Sequence, residues 1–183
     1  PPLPPHRRHG RVRIGYFSSD FREHATAYLV TELFESHDRD RFEITAFSFG
    51  PQTKERARQR LIAAFEHFID VRAMPDREVA LLARRMEIDI AVDLKGYTAD
   101  SRTGIFAMRA APVQVNYLGY PGIMAASYID YIIADRVLIP EASRQHYSAQ
   151  VAYLPDCYQP SDTKRCPLGP RYTRAQLGLP DAA

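Results

Sequence analysis

Two stretches decide how this chain is read: Arg11-Val-Arg-Ile-Gly-Tyr-Phe-Ser-Ser-Asp-Phe-Arg-Glu-His24 and Ala111-Pro-Val-Gln-Val-Asn-Tyr-Leu-Gly-Tyr-Pro-Gly122. Each begins as an apolar, β-branched or aromatic run and ends in a polar or glycine-rich loop, the signature of a buried strand leaving a sheet. In an open parallel sheet such loops emerge together at the carboxyl ends of the strands, where ligands bind.

Between and around these stretches, strands and helices alternate. Phe42–Phe49 is aromatic and β-branched and is stopped by Gly50-Pro51. Phe68–Asp70 reads as a short third strand, Ile88–Leu94 as the next, then Val113–Tyr117, Tyr128–Ala134 and Gln150–Leu154. Helices fall between them: one carrying Leu29, Val30, Leu33 and Phe34, one with Ala57, Leu61, Ile62 and Phe65, one from Pro75-Asp76 through Met86, one over 101–109, and a short one over 142–147. Strands alternating with helices of about ten residues predict an α/β fold, a parallel sheet with helices on both faces.

The ends differ from the body. Residues 1–10 are rich in Pro, Arg and His and read as a linker, and the fold is expected over 11–159. Residues 160–183, punctuated by Pro160, Pro167, Pro170 and Pro180, read as a linker toward a further lobe, with one or two helical turns over 173–177. With 183 residues, 45% hydrophobic and 25% charged, the chain has the composition of one globular domain. No run approaches the ~20 apolar residues of a membrane span, and the start lacks the apolar middle of a signal peptide, so no membrane association and a cytoplasmic location are expected.

The net charge of +2 is unevenly placed. Four arginines and no acid lie in residues 1–13, while residues 14–163 hold sixteen basic against twenty-one acidic side chains. A mildly acidic body with basic tails is a poor nucleic-acid surface, so no nucleic-acid partner is expected. Cys157 and Cys166 match no zinc spacing and read as free thiols, and no GxxxxGK[ST] or GxGxxG motif points to a P-loop or dinucleotide site.

Three loops hold the candidate chemistry. In Ser18–His24, His24 is the group whose ordinary pKa of ~6.5 lets it take a proton near neutrality, and Asp20 is placed to orient the imidazole or assist as a base. The competing reading makes Ser19 or Asp20 a cap of the following helix and His24 a surface or capping group. In Leu118-Gly119-Tyr120-Pro121-Gly122, two glycines permit positive φ and close approach of a sugar or diphosphate to the main chain; the alternative is an ordinary tight turn. In Lys95-Gly-Tyr-Thr98, Lys95 can counter phosphate charge or be solvated, Tyr97 and Thr98 can donate hydrogen bonds, and Asp93 reads as a structural acceptor. Arg56-x-Arg58-x-Arg60 spreads its guanidiniums around a helix and reads as a solvated face. His37, Asp38 and Asp40 read as a polar turn, not a metal site.

Six motifs in order, RVRIGYFSSDF at 11–21, His24, DLKGYT at 93–98, RAAPVQVNYLGYPG at 109–122, YIDYIIAD at 128–135 and YLPDCYQP at 153–160, resemble the N-terminal catalytic lobe of the O-GlcNAc transferase (SPINDLY-like) glycosyltransferases, in the form of a bacterial homologue. The resemblance implies one Rossmann-like lobe of a GT-B enzyme. It implies inverting transfer of GlcNAc from UDP-GlcNAc to Ser or Thr hydroxyls of a protein acceptor without a metal or other cofactor, SPINDLY-like members transferring fucose instead. His24 matches the family's proposed general base, and Leu118–Gly122 match the segment lining the donor sugar and diphosphate. The family's second lobe and its upstream tetratricopeptide repeats have no counterpart in these 183 residues, so the chain alone is expected to be catalytically incomplete. A relative of another class, a non-catalytic α/β module that binds a ligand or protein beside a repeat array, fits the same loops without turnover.

Overall fold

In the computed structural model, residues 3–4, 9–54, 56–164 and 172–180 are described. Among them the strands are β1 (Val12–Ser18), β2 (Phe42–Ser48), β3 (His67–Asp70), β4 (Ile90–Asp93), β5 (Val113–Asn116), β6 (Tyr131–Ala134) and β7 (Gln150–Tyr153). The helices are α1 (Ala25–Glu35), α2 (Arg56–Ala63), α3 (Asp76–Arg85) and α4 (Thr103–Ala107). The strands form one sheet in the order β3-β2-β1-β4-β5-β6-β7, and every neighbouring pair is parallel. This is the expected α/β class with the strand order of a doubly wound, Rossmann-like sheet. The chain moves outward from β1 to β3, then returns through α3 to start the other half at β4, so the order reverses between β1 and β4.

Strand side chains alternate between the two faces. Ile14, Tyr16, Ile44, Ala46, Val92 and Leu94 pack with Ala27, Val30 and Phe34 of α1 and Leu61 of α2. Phe17, Phe47 and Ala91 point the other way, onto Val79, Ala80 and Ala83 of α3 and Ile105 and Phe106 of α4. Register makes Phe17 and Phe47 neighbours, and their rings stack at 4.4 Å and 3°. Such an aromatic pair adds about 1 kcal/mol beyond its burial.

Several boundaries differ from the sequence expectation. Ile88 and Asp89 precede β4: the Ile88 N–H is spent on Ala83 O, closing α3 around Glu87 at φ 54°. Tyr128–Asp130 is a turn, with Ile129 N–H on Ala126 O, before β6 begins. The helix expected over 101–109 has five residues, ended by Arg109 at φ 57°. The one expected over 142–147 is a 3₁₀ turn at Glu141–His146 with no buried residue to hold a longer helix.

One charge reading is corrected. Arg58 is buried, donates to Phe21 O at 2.7 Å and lies 5.1 Å over the Phe68 ring. Arg60 bridges Glu35 at 2.7 Å and Asp162 at 2.5 Å. The arginine triplet is therefore not one solvated face: Arg56 is exposed, Arg58 turns inward, and Arg60 is met by the stretch 160–164, whose Thr163 and Lys164 also bind Glu32 and Glu35. That stretch begins the segment read as a linker. Its helical expectation over 173–177 becomes a 3₁₀ turn at Ala175–Leu177 closed by Gly178 at φ 67°. Most of the proline-rich start (1–2 and 5–8), Cys166, Pro167 and Pro170 lie outside the described residues. Cys157 is exposed and unpaired among the described residues, and no described helix is long and apolar enough to cross a membrane.

Candidate active site

Because all strands run the same way, the loops after β1, β4 and β5 leave from one edge. β1 and β4 are adjacent, so their loops flank the crevice at which the strand order reverses. Asp20, two residues past β1, and Lys95, two residues past β4, meet across it: Nζ donates to Oδ2 at 2.6 Å. Both side chains are about 95% buried, at 5% and 6% exposure. The solvated alternative for Lys95 therefore falls. A buried lysine is stable here because its partner is an anion that a further donor holds, Ser19 Oγ reaching Asp20 Oδ1 at 3.2 Å, while the Asp20 main chain is fixed by its N–H donating to Ser18 Oγ at 2.9 Å.

His24 sits at the rim, its side chain about one-third exposed. It is the N-cap of α1, at φ −152° and ψ 152°, and its Nδ1 accepts the Thr26 N–H at 3.2 Å. The same Nδ1 lies 3.6 Å from Asp20 Oδ2. Both roles weighed for it in the sequence, capping group and partner of Asp20, thus converge on one nitrogen. Asp20 itself caps nothing; the expectation that it or Ser19 caps the helix is corrected, since the histidine takes that place.

The loops after β4 and β5 interlock. A Cβ at Gly96 (φ 55°) would lie 2.5 Å from Tyr120 Cβ, and one at Gly119 would lie 2.0 Å from the Leu94 carbonyl oxygen. Positive φ falls on Leu118 (68°) and not on Gly119 or Gly122. Gly119 is there because main chain meets main chain and Gly122 because the Tyr120 ring lies against it, a Cβ there falling 2.8 Å from Tyr120 Cζ, which corrects the idea that these glycines supply positive φ. A non-glycine residue in this left-handed region costs about 1–2 kcal/mol. The interlock holds it in place.

Side chains stitch the same edge. Asn116 Nδ2 donates to Tyr120 O at 2.8 Å, and the Tyr97 hydroxyl donates to Met124 O at 2.9 Å. The Thr98 hydroxyl is turned back to Lys95 O at 2.9 Å, closing its own turn. The half-exposed Tyr97 ring meets Tyr120 edge-on at 5.7 Å, leaving an aromatic surface at the rim. Asp93 is the structural acceptor expected of it: Oδ1 takes the N–H groups of Lys95 and Gly96 at 2.9 and 3.0 Å. Burial pushes its carboxyl pKa up against those hydrogen bonds. Asp93 Oδ2 and Asn116 Oδ1, buried on register-paired residues of β4 and β5, have no hydrogen-bond partner among the described residues.

Sequence reasoning passed over Asn116 and gave Ser18 no role of its own. Asn116 closes an apolar strand next to Asp93, and a polar residue ending each of two adjacent strands was the signal available. The His37 region is a structural turn: its Nε2 lies 3.0 Å from the Tyr16 hydroxyl and its Nδ1 2.9 Å from Leu33 O.

The sequence model of Glycosyl transferase family 41 matches residues 4–166. The chain belongs to that family. It is 39% identical over 165 residues to the "Probable UDP-N-acetylglucosamine--peptide N-acetylglucosaminyltransferase SEC" of Arabidopsis thaliana, covering 89% of this chain and 17% of that protein. It is 36% identical over 149 residues to the UDP-N-acetylglucosamine--peptide N-acetylglucosaminyltransferase of Caenorhabditis elegans, covering 81% and 13%. Among solved structures, an O-GlcNAc transferase mutant of Thermobaculum terrenum superposes with a TM-score of 0.82 at 34% identity, over 86% of this chain and 31% of that one. This family 41 chain thus spans less than a fifth of those two curated relatives and about a third of the solved chain. The resemblance carried by the six motifs is borne out at the level of family and fold.

Proposed function

We propose that the chain is the N-terminal lobe of an inverting protein O-glycosyltransferase that moves GlcNAc from UDP-GlcNAc to Ser or Thr hydroxyls, and that it is catalytically incomplete alone. The observation that carries this reading is the meeting of the β1, β4 and β5 loops at the switch point, with His24 at the rim and Leu118–Gly122 alongside. The names of the relatives support the donor and the peptide acceptor. In this reading His24 accepts the acceptor hydroxyl's proton as oxygen attacks the anomeric carbon, Asp20 backs the imidazole, and Leu118–Gly122, Lys95, Tyr97 and Thr98 form the wall that faces donor sugar and diphosphate. UDP leaves across the cleft toward a second lobe, with no metal ion in the step. The intact protein includes that lobe and upstream tetratricopeptide repeats, and it works in the cytoplasm.

A positioned base contributes about 10²–10⁴-fold to such a step. The test incubates the intact protein with UDP-GlcNAc and, in parallel, GDP-fucose, following nucleotide release and sugar attachment for wild type and His24→Ala. Turnover with UDP-GlcNAc that falls by about 10²–10⁴-fold in His24→Ala while donor affinity holds is the expected result. Equal loss of turnover and donor affinity makes His24 a binding residue. One observation favours a second reading: the His24 Nδ1 is engaged as a helix cap. If a folded two-lobe protein releases nucleotide from neither donor, the chain is a lobe that binds without turnover.

A further inference from the structure

One carboxylate oxygen is contested at the centre of the crevice. Asp20 Oδ2 lies 2.6 Å from Lys95 Nζ and 3.6 Å from His24 Nδ1. His24 Nδ1 in turn lies 3.2 Å from the Thr26 N–H. A neutral imidazole carries one proton, so these contacts are not independent. If Nδ1 accepts from Thr26, the proton is on Nε2. If Nδ1 donates to Asp20, the proton is on Nδ1, the Thr26 N–H loses its acceptor, and Nε2 is left with a bare lone pair.

We propose that Lys95 is a positioning residue for His24: by offsetting the charge of Asp20 at Oδ2 it leaves the Thr26 N–H as the better partner of Nδ1 and keeps the proton of the neutral ring on Nε2. Three features support this. The lysine is held inside the protein, so its charge on Asp20 is not screened by water. Its contact with Oδ2 has ion-pair length, whereas the histidine contact exceeds hydrogen-bond range. Lys95 is also anchored from behind, its N–H on Asp93 Oδ1 at 2.9 Å, so it cannot drift from Asp20 without disturbing β4's end.

The consequence for chemistry rests on the function proposed above. With its proton on Nε2 the ring's free edge offers a hydrogen-bond donor. To take a proton from an acceptor hydroxyl at Nε2, the ring must carry its proton on Nδ1, release the Thr26 N–H and close the 3.6 Å gap to Asp20, a carboxylate whose pull on that proton Lys95 weakens. Asp20 is then the residue that arms the base, and Lys95 the one that holds it unarmed.

The tautomer is read directly, with or without transferase activity. Long-range ¹H–¹⁵N correlation on the 183-residue chain, labelled at histidine and held about two units above the usual imidazole pKa of ~6.5, distinguishes a protonated from a bare ring nitrogen. His24 is assigned by loss of its signals in His24→Ala. Wild type is expected to show Nε2 protonated and Nδ1 bare. Lys95→Met should move the proton to Nδ1 as the major form, and Lys95→Arg, which keeps a cation on Asp20, should restore the wild-type pattern. If Lys95→Met lacks dispersed amide signals, Lys95→Gln serves in its place, with a partial shift expected. A wild-type ring already protonated at Nδ1, or a folded Lys95→Met or Lys95→Gln with the wild-type pattern, overturns the proposal. Failure of sugar transfer with the tautomer shift intact would overturn the function and leave this inference standing.

Discussion

Replacing Gly119 by alanine tests whether the β4 and β5 loops are one unit. The added methyl would sit 2.0 Å from the Leu94 carbonyl oxygen, 2.8 Å from its carbon and 3.1 Å from Lys95 Cα. An ordinary C···O approach is about 3.3 Å, so the overlap exceeds 1 Å. All three obstacles are main chain at the end of β4, and a side-chain rotation cannot relieve them. Overpacking of this kind costs about 1–3 kcal/mol, and a rigid neighbour argues for the upper end. For a domain of this size, about 3 kcal/mol lowers Tm by ~6–12 °C. In urea, with a slope of about 2 kcal/mol/M, the midpoint should fall by ~1.5 M with the slope unchanged. Gly178→Ala is the control for backbone conformation alone: φ is +67° but nothing lies within 4 Å, so only about 1 kcal/mol is expected. Gly10→Ala, also in open space, should be silent. A Gly119→Ala melting curve no lower than that of Gly178→Ala would show that the two loops can slide apart, and the interlock would lose its meaning.

Gly50→Ala should behave like Gly119→Ala, because its methyl would sit 1.8 Å from Ser19 O; an unchanged urea midpoint would show that the β2 loop gives way freely. Arg58→Ala should lower the urea midpoint by the equivalent of about 2 kcal/mol, since it leaves the Phe21 carbonyl without the buried guanidinium, whereas exposed Arg56→Ala should change it little. Equal effects of the two would return the triplet to a solvated face. Burial lowers the His37 pKa against the hydrogen bond to Leu33, so the unfolded chain binds its proton first. Stability should be flat above about pH 6.5 and fall as pH drops from there toward the folded value, a slope that His37→Gln should reduce. Parallel wild-type and His37→Gln stability curves between about pH 7 and 5 would place the acid sensitivity elsewhere.

The architecture was legible because its signal is local. The apolar runs at 12–17 and 42–49 and the helical spacing between them fixed both the elements and their alternation, and alternation implies a parallel sheet. Boundaries were less legible. Ile88 looks like a strand residue because it is buried, yet its N–H completes α3, a contact that no apolar pattern reports. The arginine triplet failed for a longer-range reason: Arg60's second partner, Asp162, lies 102 residues away. At the candidate site the sequence paired Asp20 with His24 and named Lys95 separately. That Lys95 leaves solvent to meet Asp20 follows from β1 and β4 being neighbours, a property of strand order that spacing along the chain does not contain.

Strand order also explains where this protein keeps its buried polar groups. Ser18, Ser48, Asp93 and Asn116 each end a strand, and Ser19, Asp20, Lys95 and Asp135 lie within two residues of a strand's carboxyl end; all eight are buried. At the opposite edge, among the described residues, the same two-residue window holds one buried polar side chain, Gln114 of β5, and it is fully bonded, to the Ala110 N–H and to the carbonyls of Phe106 and Tyr128. Packing alone would not favour such an arrangement, since each desolvated polar group must find a partner or cost about 1–3 kcal/mol. Part of the set is satisfied internally, as Asp135 is by the N–H groups of Val137, Leu138 and Tyr158. Asp93 Oδ2, Asn116 Oδ1 and Ser48 Oγ have no hydrogen-bond partner among the described residues. A sheet that gathers eight buried polar residues at one edge, against one at the other, is organised around that edge. The residues there divide accordingly: Asp135 holds the loop beyond β6, while Lys95 pairs with Asp20 beside His24, whose Nδ1 caps α1 at the rim of the crevice.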